Sequence, residues 1–154
     1  MAETTTEIRL MRVEDLPWVL EVAAASPQAP HWPEAVYRKA LDPETAPVRL
    51  ALVADRNGRA AGFAIVSLIP PEAELESIVV APQSRRQGIG QLLLKAIGAE
   101  LKQQKVMELF LELRASNLAA LELYRSAGFV PTAVRPRYYT DPVEDAVLMK
   151  ALLK

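Results

Sequence analysis

One stretch narrows the fold more than any other. Leu75 to Ala81 is an apolar, strand-like run that closes with Pro82; Arg85-Arg86-Gln87-Gly88-Ile89-Gly90 follows, and Gln91-Leu92-Leu93-Leu94-Lys95-Ala96-Ile97 opens a helix. A strand, a basic glycine turn and a helix N-terminus together make an anion site. The first N–H groups of a helix have no partner within it, and the helix dipole adds partial positive charge there, so phosphates bind. Gly88 and Gly90, without Cβ, are expected to let backbone and phosphate approach closely. Arg85 and Arg86 add full charges, which makes Arg85 to Gln91 the candidate phosphate-binding segment. Two familiar phosphate loops are excluded. A Walker A loop needs Lys-Ser/Thr after its last glycine, where Gln91 stands; a dinucleotide fingerprint needs a third glycine where Leu93 stands.

The rest of the chain reads as one domain over 1–154. Its 154 residues suit a single core, and 51% apolar residues are ample for it. A net charge of −1 gives no call for nucleic acid or an anionic membrane. With no cysteine there is no disulfide, no thiolate metal site and no cysteine nucleophile. A single histidine, His31, argues against a histidine-rich metal site, so no metal is expected. Met1 to Glu7 has neither the basic nor the apolar region of a secretion signal, and no apolar run nears the roughly 20 residues that span a bilayer. A cytoplasmic protein, monomeric or weakly dimeric, is the expectation.

In order, Glu7–Arg12 alternates as a short strand. Glu14-Asp15 opens a helix carrying Leu16, Val19, Leu20 and Ala23 on one stripe, which Ser26-Pro27 ends. After a loop from Pro27 to Pro33, Glu34–Leu41 forms a second helix. Val48–Ala54 alternates as a strand, Asn57-Gly58 is a two-residue hairpin turn, and Gly62–Ile69 returns. Glu72–Val80 is the next strand, then comes the helix from Gly88 to about Lys105. Met107, Leu109, Leu111 and Leu113 alternate with Glu108, Phe110, Glu112 and Arg114 in a strand that, after a helical crossover, runs parallel to its predecessor. Asn117 caps a helix that Gly128 stops. Phe129–Val134 and Ala146–Leu152 close the sheet, joined through Arg135 to Pro142. The fold class is α+β, a mixed, mostly antiparallel central sheet with helices on both faces.

Arg/Gln-x-x-Gly-x-Gly after a strand, filled here by Arg85, Gly88 and Gly90, resembles the pyrophosphate loop of the GNAT acyl-CoA N-acetyltransferases, and the order of elements resembles their fold along the whole chain. Leu111-Glu112-Leu113-Arg114-Ala115-Ser116-Asn117, Leu123-Tyr124-Arg125-Ser126-Ala127-Gly128-Phe129, Arg137-Tyr138-Tyr139 and Glu144-Asp145-Ala146 are similar to the bacterial RimI branch, which acetylates the N-terminal alanine of a small-subunit ribosomal protein. The chain departs from that branch at Ala81-Pro82, where Asp-Pro is usual, and at Pro136.

The resemblance implies acetyl-CoA as co-substrate and a protein N-terminus, such as that of a ribosomal protein, as partner. An α-amine has a pKa near ~8 and needs only a mild base. The resemblance makes Glu112 that base, working through water; by strand pattern alone Glu112 is a solvated residue like Glu108. It makes Tyr124 the acid for the leaving thiolate, whereas helical spacing alone makes Tyr124 a packed aromatic beside Leu121. It brings Asn117 to the cofactor and pairs the backbone of Ile78, Val79 and Val80 with the pantetheine arm, leaving an N–H for the thioester oxygen. Tyr138 and Tyr139 either wall the acceptor channel or pack the closing hairpin, and Trp32 either packs in its proline-rich loop or is a further candidate on the acceptor side. Glu72, Glu74 and Glu76 are either a solvated face or an acidic rim. Two other readings stay open: acetylation of a small amine or a lysine side chain, and a CoA-binding module without turnover.

Overall fold

The computed structural model describes residues 5–153; the chain start read above for a leader, Met1 to Thr4, lies outside the described residues. Those residues form seven strands, β1 (Thr6–Leu10), β2 (Val48–Arg56), β3 (Arg59–Ile69), β4 (Glu72–Val80), β5 (Glu108–Arg114), β6 (Val130–Tyr139) and β7 (Glu144–Leu152). Four α-helices accompany them: α1 (Leu16–Ala24), α2 (Glu34–Leu41), α3 (Ile89–Gln103) and α4 (Leu118–Ser126). One sheet holds all the strands in the order β1-β2-β3-β4-β5-β7-β6. Every neighbouring pair is antiparallel except β4–β5, which is parallel, as the α3 crossover requires.

Strand alternation sends the two sets of side chains into two cores. Leu50, Leu52 and Ala54 of β2 and Leu109, Leu111 and Leu113 of β5 pack with Ile89, Leu93 and Ile97 of α3 and Tyr124 of α4. On the opposite face, Ala51 and Val53 of β2 and Phe63 and Ile65 of β3 pack with Leu16, Val19 and Val22 of α1 and Tyr37 of α2. Helices therefore cover both faces. The hairpin at Asn57-Gly58 has positive φ at both residues, +55° and +83°, which is the backbone that Asn-Gly tolerates.

Three boundaries differ from the sequence reading. The first strand stops at Leu10, where Asp15 accepts the Arg12 N–H at 2.7 Å and draws the chain into a turn. β3 begins at Arg59 because it pairs with Arg56 immediately after the hairpin. The third correction matters for function. Arg135 to Tyr139 is strand, not connection: Arg135 pairs with Ala146 and Tyr139 with Glu144, with an irregularity between them. Arg137 sits there at φ +53° and donates its N–H to Asp145 Oδ1 at 3.0 Å. Pro136 is tolerated because β6 is an edge strand, where a missing donor leaves no ladder bond unmade.

Candidate active site

β4 and β5 are paired only over Glu72–Glu74 and Glu108–Phe110. Beyond that they part, although β4 stays on β3 and β5 on β7 to their ends. A bulge marks the start of the parting: Val66 lies opposite Leu75 and Ile65 opposite Ser77, which leaves Glu76 as the extra residue. Bulges bend a strand and sharpen its twist. The split opens a cleft of about 590 Å³ that passes between the two faces of the sheet. Leu75, Ile78, Val80, Leu111, Leu113 and Tyr124 line its α3/α4 side; Glu76, Ser77, Glu112 and Tyr139 line the other, with the loop from Ser26 to His31 at the rim.

The backbone edge of β4 faces this cleft at alternate residues. Ala81 donates its N–H to the Ala61 carbonyl at 2.8 Å, so Gly62 and Val80 form a pair without mutual hydrogen bonds. Val79 therefore turns its backbone to β3, while Ile78 and Val80 turn theirs to the cleft. The expectation for Ile78 to Val80 is corrected at Val79, whose side chain is buried among the α1/α2 core and whose polar backbone is already spent. Gly62 makes this register possible: a Cβ there would stand 2.7 Å from the Val79 carbonyl oxygen.

At the end of β4, Gly88 takes φ +79° and starts α3 without any side-chain cap. The Leu92 N–H closes the first helical bond to the Gly88 carbonyl, so the N–H groups of Ile89, Gly90 and Gln91 have no partner within the helix. Gly90 has a packing role besides the expected one. Its missing Cβ would meet Leu123 Cδ2 at 3.0 Å, so it permits α3 to pack on α4, and open space lies at Gly88 instead. Arg85 donates to Ser26 Oγ at 3.2 Å and to the Val80 carbonyl at 3.4 Å, tying the glycine turn to the loop after α1. Gln87 accepts from Arg56, and Arg86 is exposed at φ +62°.

The two candidate acid–base groups arrive from opposite sides. Glu112 is half-buried on the α1/α2 face of β5. The neighbouring Glu112 carboxylate raises the Tyr138 phenol above its ordinary value. Burial, then Glu112 and Glu76, push Glu74 above the ordinary carboxylate range. Tyr124 is 8% exposed, its ring 5.7 Å from that of Phe129, and burial raises its phenol strongly. Asn117 caps α4 by accepting the Ala120 N–H at 3.2 Å, and it lines the cleft as well. Glu76 is neutralised by Arg49 at 2.7 Å, and the bulge removes it from the simple alternation of Glu72 and Glu74.

Two features went unread in the sequence. Arg114 stacks over the Tyr139 ring at 4.5 Å and donates to the carbonyls of Thr140 and Pro142 and to Glu144 at 3.2–3.3 Å. Glu144 accepts from Ser116, which holds its carboxyl below the usual range. Together they fasten the β6–β7 hairpin to the end of β5 and place Tyr139 on the cleft. The one cue was that Arg114 and Glu144 both fall in the resembling blocks. Trp32 takes its packing alternative: its ring lies 5.4 Å from Tyr37 in the α2 core, and His31 stands on the cleft rim.

A sheet split between two adjacent parallel strands, with a free helix N-terminus at the end of the first, is the frame of an acyl-CoA-dependent N-acetyltransferase. The acetyltransferase (GNAT) family model matches residues 11–129, and the chain belongs to that family. Over 147 residues it is 32% identical to a Bacillus subtilis (strain 168) protein provisionally described as a ribosomal protein bS18-alanine N-acetyltransferase, covering 96% of this chain and 95% of the relative. It is 46% identical over 96 residues to the Escherichia coli (strain K12) ribosomal protein bS18-alanine N-acetyltransferase, a segment that spans 61% of this chain and 65% of that enzyme. The crystal structure of the E. coli ribosomal-protein-S18-alanine N-acetyltransferase superposes with a TM-score of 0.86 at 34% identity, over 97% of this chain and 95% of that one.

Proposed function

We propose that this protein transfers acetyl from acetyl-CoA to the N-terminal α-amino group of a protein in the cytoplasm, with the N-terminal alanine of a ribosomal protein as the favoured acceptor. The observation that carries the reading is the split between β4 and β5, with Glu112 on one side and Tyr124 on the other. The names of the bacterial relatives support the acceptor class.

The residues present fit acetyl-CoA. The unpartnered N–H groups at the start of α3, with Arg85 and Arg86, suit the pyrophosphate. Ile78 and Val80 offer a strand edge to the pantetheine arm, in the manner of an added strand. When bound, acetyl-CoA supplies the acetyl thioester and carries away the sulfur. Glu112 takes the proton that the attacking amine gives up, directly or through water. An α-amine is partly neutral near pH 8, so a carboxylate suffices. Tyr124 keeps its proton because burial disfavours the phenolate, and it presents that proton to the sulfur. No cysteine is present to form an acyl-enzyme, which agrees with direct transfer in a ternary complex.

The test is mass spectrometry of peptides incubated with acetyl-CoA. One peptide begins with free alanine; a second has that amine blocked and carries an internal lysine. An acetyl mass gained only by the first, and lost in Glu112→Gln, is the expected result. Acetylation of the lysine peptide alone would transfer the reading to side-chain amines, and no product from either would refute it.

A further inference from the structure

Among the described residues three buried side-chain atoms have no hydrogen-bond partner in the protein: the Tyr37 hydroxyl, Arg56 Nε and Ser77 Oγ. Tyr37 lies in the α2 core and Arg56 lies at the end of β2, both away from the cleft. Ser77 lines it. The residue is 5% exposed, pairs with Ile65 in β3 and follows directly on the bulge at Glu76. Its neighbours along that face of the sheet, Ile65 and Val79, are fully apolar and packed under α1 and α2. An apolar side chain would complete this stripe. Leaving a buried hydroxyl unpaired instead is unfavourable, and such groups are rare enough in native proteins that each calls for a partner.

Several polar side chains on the cleft are already engaged: Glu76 pairs with Arg49, Ser26 accepts from Arg85, and Arg114 is taken up by the β6–β7 hairpin. Ser77 shares its face of the sheet with Glu112 and lies opposite the face that carries Tyr124. It therefore faces the side from which the amine arrives.

We propose that Ser77 is an acceptor-binding residue: its hydroxyl donates to the carbonyl oxygen of the acceptor's first residue and so fixes the neighbouring α-amine against Glu112. This rests on the acetyl-transfer reading of the cleft and goes one step beyond it. In a peptide N-terminus one carbon separates the amine-bearing nitrogen from a carbonyl carbon. A lysine side chain carries no carbonyl at that reach. A single hydroxyl at this point thus selects α-amines over side-chain amines.

The experiment compares wild type with Ser77→Ala on two alanine-starting peptides, one ordinary and one with a thioamide at the first residue, whose sulfur is a poor hydrogen-bond acceptor. For the ordinary peptide the substitution should raise the acceptor KM by roughly 3–10-fold, the worth of one hydrogen bond. The acetyl-CoA KM should hold, and thermal stability should stay level or rise, since no intramolecular bond is lost. The thioamide should weaken wild type by a similar factor and cost the variant nothing more. An unchanged acceptor KM in Ser77→Ala, a rise in the acetyl-CoA KM instead, or thioamide and mutation penalties that simply add would each overturn the proposal while leaving N-terminal acetylation standing. A wild type that acetylates neither peptide would remove the underlying reading, and this inference with it.

Discussion

From Glu72 to Glu74, β4 is an ordinary interior strand, bonded to β3 on one edge and β5 on the other; from Leu75 to Val80 it keeps β3 and releases β5. The two stretches have the same alternating composition, buried residue by exposed or half-buried residue. What separates them is backbone: one extra residue at Glu76 and a register that only Gly62 accommodates. Unpaired strand edges inside a sheet are costly, because each N–H and C=O needs a partner. Here that edge lies beside a helix terminus and two candidate acid–base groups, the arrangement on which the proposed function rests. The paired stretch, by contrast, holds the sheet together and carries Glu74 as the price of proximity to Glu112 and Glu76.

The contrast can be broken most severely at Glu112. Glu112→Gln should cut kcat by about 10²–10⁴-fold, the usual worth of a positioned base, with little change in melting temperature. Steady-state acetylation of the alanine peptide beside a thermal melt checks both halves. Gly62→Ala attacks the split from behind. A methyl 2.7 Å from the Val79 carbonyl must push β3 and β4 apart. A loss of about 1–3 kcal/mol is expected, read by chemical denaturation, along with weaker acetyl-CoA binding as Ile78 and Val80 shift; unaltered cofactor affinity would show that the register of β3 does not set the cleft.

The smallest effect belongs to the paired stretch. Glu74 binds its proton more tightly folded than unfolded, so the folded state loses stability as pH rises from the ordinary carboxylate value through the raised one. Glu74→Gln should therefore raise the melting temperature slightly near neutral pH, and the gain should vanish below about pH 4, where the unfolded carboxyl is protonated too. A constant gain at all pH values would place its origin in something other than ionisation.

Much of this was legible in the chain. The glycine turn, the Asn117 cap and the alternation of β5 are local patterns, and local physics decides them: a helix N-terminus exposes N–H groups whatever surrounds it, and a period of two puts Glu112 opposite Leu111 and Leu113. The strand span of Arg135 to Tyr139 was hidden by Pro136, which reads as a breaker unless the strand is known to be an edge. Trp32 kept two readings because a proline-rich loop carries no periodicity from which to tell cleft from core.

Residue type and spacing along the chain were enough for the element order and the parallel crossover through α3, while the resemblance of its motifs pointed to the family and to the candidate pair Glu112 and Tyr124. Tertiary contacts alone set β7 between β5 and β6, brought Leu123 against Gly90, turned Val79 away from the cleft and left Ser77 without a partner. Those are relations between strands and helices distant in the chain. They depend on register and on which backbone edge meets which neighbour, and no local pattern of residues encodes either.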